Sequence, residues 1–205
     1  QFPWLRYRTD ATSIGSEWLA QLNYRPSRKA EMYFRVRREL KDENATGIAE
    51  GINYLVDRRR TYIRFNTSFR LSDAMKLKSR VEVSEYVLGE NDPEKGFLVY
   101  QDVSYKMTAL PITFSFRFAM FETDTYNARM YVYETDVLYA FSIPAYYYRG
   151  TRMYIMARVK LSKRMDIWLR YAQTYYDDRS VISSGLPEIQ GNTKSEVKAQ
   201  LRIKF

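Results

Sequence analysis

The stretch 193–205 constrains the fold more than any other part of the chain. Val197, Ala199, Leu201, Ile203 and Phe205 alternate with Glu196, Lys198, Gln200, Arg202 and Lys204. Two residues is the side-chain period of a β-strand, so one face of this segment is apolar and the other is charged. The segment stops on an aromatic residue with no polar tail, the pattern expected of a strand that closes a barrel.

The same alternation recurs along the chain. Trp18, Ala20, Leu22 and Tyr24 share one side of a strand, and Met32, Phe34 and Val36 oppose Tyr33, Arg35 and Arg37 in the next. Ile63, Phe65, Thr67 and Phe69 oppose Tyr62, Arg64, Asn66, Ser68 and Arg70; Leu77, Val81 and Val83 oppose Lys76, Lys78, Arg80 and Glu82. Further on, Val99, Val103 and Tyr105 oppose Tyr100, Asp102 and Ser104, and Phe114, Phe116 and Phe118 face away from Ser115 and Arg117. Ile155, Ala157 and Val159 alternate with Tyr154, Met156 and Arg158, and Ile167, Leu169 and Tyr171 with Trp168 and Arg170. With a strand end at Trp4, Leu5 and Tyr7, about ten spanning strands are expected. Polar stretches, including a long one at 41–58, are expected as loops.

Short turns alternate with long loops. Three turns carry related sequence, Arg-Pro-Ser, Arg-Leu-Ser and Lys-Leu-Ser, with serines at 27, 72 and 162, the second interval twice the first. The repeating unit is therefore a strand pair plus one long loop. Strand parity makes 122–150 a long external loop, although Met130 to Tyr139 is itself strand-like, and makes 176–192 a second external loop. Tyr131, Tyr133, Tyr139 and Tyr146 to Tyr148 are expected to pack the first loop onto the mouth.

Which side of the strands is inside decides the class. A soluble barrel shows the same period with an apolar interior. Here the apolar stripe persists for about five alternate positions, matching a lipid band of roughly 25 Å at about 3.3 Å per residue. The opposite face carries many Lys and Arg residues. Aromatic residues make 16% of the chain, including 19 Tyr, which suits interfacial girdles. We therefore expect an all-β, antiparallel up-and-down transmembrane β-barrel, residues 1–205 forming one barrel domain or the C-terminal section of one, in a Gram-negative outer membrane. Gln1 then begins either a processed mature form or a piece of a longer chain.

The segments 166–176, 183–192 and 194–205, with the preceding Tyr133-Glu-Thr-Asp-Val-Leu-Tyr-Ala-Phe-Ser-Ile-Pro-Ala, resemble the end of a Bacteroidota outer-membrane barrel family whose members often carry a helix-hairpin-helix region ahead of the barrel. The resemblance covers about the last hundred residues and implies the C-terminal part of a longer protein. It transfers no activity to any residue.

The chain has no His and no Cys, which removes His-dependent acid–base catalysis, imidazole and thiolate metal sites, and disulfides. No enzymatic activity, no cofactor and no metal are expected. The candidate residues are the lumen-facing cations Arg35, Arg37, Arg64, Arg70, Lys76, Lys78, Arg80, Arg117, Arg158, Arg170, Lys198 and Arg202, suited to anionic solutes or an acidic plug, or else paired with Glu82, Asp102, Asp166 and Glu196 to fill a narrow lumen. Tyr131, Tyr133, Glu134, Asp136, Tyr146 and Tyr147 are expected to contact a partner from the external loop. The net charge is +9. Its cations alternate with lipid-type residues and form no convex patch, so nucleic acid is not expected as a partner. Outer-membrane lipid, other envelope proteins and anionic solutes are. The functional expectation is a non-catalytic transport or channel component, or a barrel subunit of an envelope complex. The alternative is a soluble basic β-barrel or sandwich that binds anionic ligands.

Overall fold

The computed structural model describes residues 3–5, 7–45 and 53–205, and 46–52 of the polar stretch 41–58 lie outside them. Nine long strands follow one another across a single antiparallel sheet. They are β1 (Gly15–Ser27), β2 (Ala30–Asn44), β3 (Leu55–Arg70), β4 (Met75–Leu88), β5 (Glu94–Lys106), β6 (Ile112–Thr123), β7 (Gly150–Lys160), β8 (Met165–Tyr176) and β9 (Thr193–Ile203). Each pairs with its sequence neighbours. The sheet is up-and-down but not closed: β1 and β9 are its two edges.

Two expectations are corrected here. Nine long strands are present among the described residues, not about ten, because Trp4 lies in a bend, Tyr7 in a turn and Leu5 in no strand ahead of β1. The strands also run past the apolar band into what reads as loop. β2 continues to Asn44 and β3 starts at Leu55. Backbone ladders do not depend on side-chain polarity, and here the extension is cross-linked by Arg58, which bonds both Glu39 and Glu43.

Strand register lines the two side-chain classes up in rows. Ala30, Phe69, Leu77, Val103, Phe116, Ile155, Tyr171 and Val197 are successive cross-strand partners. None of them is buried; Phe116 is 37% and Val197 75% exposed. On the other face, Ser68, Lys78, Asp102, Arg117, Tyr154, Ala172 and Glu196 form a row in the same way. That face holds the buried charges Arg80, Glu82, Arg117, Asp166 and Arg170. The polar face is the covered one.

The three related serines build equivalent turns. Ser27, Ser72 and Ser162 each accept, through Oγ, the backbone N–H two residues on, from Lys29, Ala74 and Arg164 at 3.2 Å. A side-chain oxygen that caps a turn in this way explains why serine recurs. These turns, with 107–111, lie at one end of the sheet, and the longer connections lie at the other.

One long connection, 124–149, lies against the polar face. A single 3₁₀ turn, Tyr126–Ala128, is capped by Thr125, whose Oγ1 accepts from Asn127 N–H at 3.0 Å. Met130–Tyr131 then pairs with Ala145–Tyr146, and Glu134 bridges to Ser142. Period-two alternation turns Met130, Val132, Glu134 and Asp136 inward and leaves Tyr131 and Tyr133 half exposed. With Leu98, Tyr100, Ala119, Phe121, Tyr146, Tyr176 and Ile182, the inward apolar residues make the hydrophobic core.

Gly96 permits this contact. A Cβ there would lie 2.4 Å from Ser84 Oγ and 2.8 Å from the Ala128 carbonyl oxygen, two atoms that are hydrogen-bonded to each other at 2.6 Å. Gly96→Val is expected to lift the insert at a cost of about 1–3 kcal/mol, read as faster tryptic cleavage after Arg129. An unchanged cleavage rate would show that the insert docks without this approach.

Candidate functional site

The most connected part of the polar face is where the insert meets β6 to β9. Glu134 is fully buried, yet it is an anion's full complement short of nothing: Arg152 binds it through two nitrogens at 2.7 and 2.9 Å, Arg170 donates at 2.5 Å, and the Tyr146 hydroxyl donates at 2.7 Å. Arg170 also bonds Glu196 at 2.7 Å and the Thr135 carbonyl at 3.2 Å. Asp136 accepts from Lys198 Nζ at 2.6 Å. The insert thereby supplies two carboxylates to three neighbouring strands. Arg117 holds it from β6, donating to the Tyr133 carbonyl at 2.9 Å while forking onto Asp102 at 2.5 and 2.7 Å.

Burial alone would raise the Glu134 carboxyl, but the Arg152 and Arg170 guanidiniums and the Tyr146 hydroxyl outweigh it and hold the group below its ordinary value. Asp136 is lowered in the same way, with Lys198, the Val137 N–H and Arg170 overcoming its desolvation. Burial and the adjacent Glu134 push the Tyr146 phenol up. These are properties of a locked ionic cluster. Among the described residues no cluster of acidic side chains is arranged to hold a metal ion.

All the cations expected in the lumen lie on the polar face, in several different settings. Arg64 forks onto Glu82 at 2.8 and 2.9 Å, and Arg35 bonds Gln21 at 2.6 Å and stacks on Tyr33. Arg37 forks onto Glu17 at 2.9 Å. Arg80 and Arg117 flank the Tyr100 ring at 5.1 and 3.9 Å. Arg158 and Arg202 share Asp166 and flank Trp168 at 5.1 and 5.3 Å. Arg170 and Lys198 meet the insert. Arg70, Lys76 and Lys78 make no ion pair among the described residues.

The loop residues expected to face a partner divide. Glu134, Asp136 and Tyr146 point into the fold, because the cations of β7 to β9 draw the carboxylates in and Tyr146 packs edge-on to Phe121 at 5.3 Å. In this chain they are buried and do not stand on the surface of the loop. Tyr147 packs against the core cluster and stacks near Tyr126, Tyr148 and Tyr176. Tyr131 and Tyr133 stay accessible, the latter against Phe141. Arg152 was absent from the expected set, although it alternates with Met153 on the same period that marked Arg158. No protein-family model, curated relative or solved structure matches the chain.

Two outcomes test this cluster. Glu134→Gln leaves two buried guanidiniums short of a carboxylate, and a loss of about 3–5 kcal/mol is expected, read as lowered thermal stability and faster cleavage after Arg129. Because the folded Glu134 carboxyl sits below its ordinary value of 4.5, its contribution is complete above that pH and is lost as the pH falls through the lowered folded value. Thermal melts should show an acid limb below about pH 4.5 that Glu134→Gln flattens. A limb of equal size in the variant would assign the acid sensitivity elsewhere.

Proposed function

We propose that this chain forms nine strands of an outer-membrane β-barrel in a Gram-negative bacterium, acting without catalysis as a transport or channel component or as the barrel subunit of an envelope complex. One observation carries the reading. The packed face of the sheet holds the buried charges, with an apolar cluster beneath the insert, and the face left open carries apolar rows that run from strand to strand. In water such a surface exceeds what a soluble monomer normally exposes, whereas lipid is its natural solvent. The strands are long enough for a tilted crossing, the shortest having 11 residues. The likeness of 166–205 to barrel sequences supports the same assignment.

Strand parity adds a condition. In a nine-strand meander with antiparallel pairing throughout, β1 and β9 run in the same direction. They cannot close antiparallel onto each other. An odd number of further strands, antiparallel to both edges, completes an even wall. A second copy related by rotation about the barrel axis would instead bring β1 and β9 together in parallel.

The test begins with full-length protein extracted from membranes. An unheated sample that migrates faster than a boiled one on a denaturing gel is the expected result; no shift together with partition into the aqueous phase would overturn the reading in favour of a soluble basic binding module. Brominated acyl chains sharpen it. Trp18 lies on the apolar face, half exposed, and Trp168 is buried on the polar face. Trp18→Phe should lose part of the bromolipid quenching, and Trp168→Phe should retain it.

A further inference from the structure

The insert neutralises only one end of the polar face. Glu134 and Asp136 engage Arg152, Arg170 and Lys198 on the side towards the long loops. Towards the short turns no such carboxylates arrive. Between β1 and β4 lies a hollow of about 620 Å³ lined by Arg25, Arg28, Lys29, Arg70 and Lys76, with Glu31 as the one acid. Its volume falls in the roughly 300–1,000 Å³ range of small-ligand sites. Glu31 is engaged by Arg25 at 2.8 Å. Arg28, Lys29, Arg70 and Lys76 make no ion pair among the described residues.

The register keeps these charges together. Arg70 and Lys76 are direct cross-strand partners, a pairing of like charges that is unfavourable unless an anion lies beside it. Lys78, two residues further along β4, is half-buried, and its cross-strand partner Asp102 is held by both forks of Arg117. The neighbours of β3 and β4 are all in place, and Glu31 and Asp102 are already bonded; Asp73, in the turn between Arg70 and Lys76, lines the adjoining hollow but pairs with neither among the described residues. Ser68 lines the same hollow and supplies a hydroxyl donor.

We propose that this hollow binds a soluble multivalent oxyanion of the phosphate class. Four compact or forked cations spread over two hairpins match several phosphate oxygens better than one monovalent ion. The hollow opens on the polar face, away from the apolar rows, which leaves it accessible to a dissolved anion. The inference rests on the barrel reading for what reaches the site, since a lumen would deliver solutes to this face.

The test is calorimetric titration of the full-length protein, in an uncharged detergent, with inorganic tripolyphosphate. Binding by the parent, weakened roughly tenfold in R70Q/K76Q with a shallower salt dependence, and unchanged in K95Q at the opposite end, is the expected pattern. No binding by the parent would mean that strands completing the wall already neutralise the hollow, and would overturn the assignment; so would equal affinity in R70Q/K76Q, or equal loss in K95Q. Running the heat-shift gel on the same samples separates the two proposals. A shift without binding removes the anion site alone, and binding without a shift removes the barrel alone.

Discussion

A buried charge must be matched, and in this fold that requirement replaces the apolar jigsaw as the main source of specificity. The clearest case is Glu134, whose oxygens take donors from Arg152, Arg170 and Tyr146. Moving the insert by one residue would flip the inward set outward, leaving Arg152 without its ion pair and Arg170 with Glu196 alone. Ion pairs of this kind add little net stability relative to apolar packing, but breaking one is costly, so they select a single arrangement. The hydrophobic cluster around Leu98, Phe121 and Tyr146 sits beside the same insert and reinforces the choice.

Much of the architecture was legible because β-structure has a period that sequence displays directly. Phe114, Phe116 and Phe118, or Ile155 and Val159, announce both a strand and the side on which its apolar residues lie. The serines at 27, 72 and 162 announced equivalent turns, and each does cap one. Period two says which residues share a face; it says nothing about which partner that face meets. Strand ends were missed where Lys41, Asp42 and Glu43 continue a ladder that needs no apolar residue. Glu134 and Asp136 read as outward acids, although Met130 and Val132, four and two residues before Glu134, carry the same alternation and mark the inward side. Closure was beyond reach because it depends on what pairs with β1 and β9.

The two ends of the sheet differ in a way composition hides. A net charge of +9 is a sum over the chain. In space, the insert's carboxylates compensate the loop end, and Asp102 is bound to Arg117. At the turn end of β1 to β4, Arg28, Lys29, Arg70 and Lys76 make no ion pair among the described residues. An even field would only raise solubility, whereas a gradient along one face gives a dissolved anion a direction.

The position of the insert has a kinetic consequence. Every strand pairs with its sequence neighbour, so the sheet consists of local contacts of the kind that form quickly. The pairing that must wait for the longest connection to close is β6 with β7, across 124–149. The insert touches both sides of that seam, through Ser84 and Arg117 before it and through Arg152, Arg170 and Lys198 after it. It therefore acts as a clasp between two meanders, β1 to β6 and β7 to β9. Closure entropy grows only with the logarithm of loop length, so the exposed tip around Tyr139 is free to lengthen or vary in sequence while Glu134 keeps the halves in register.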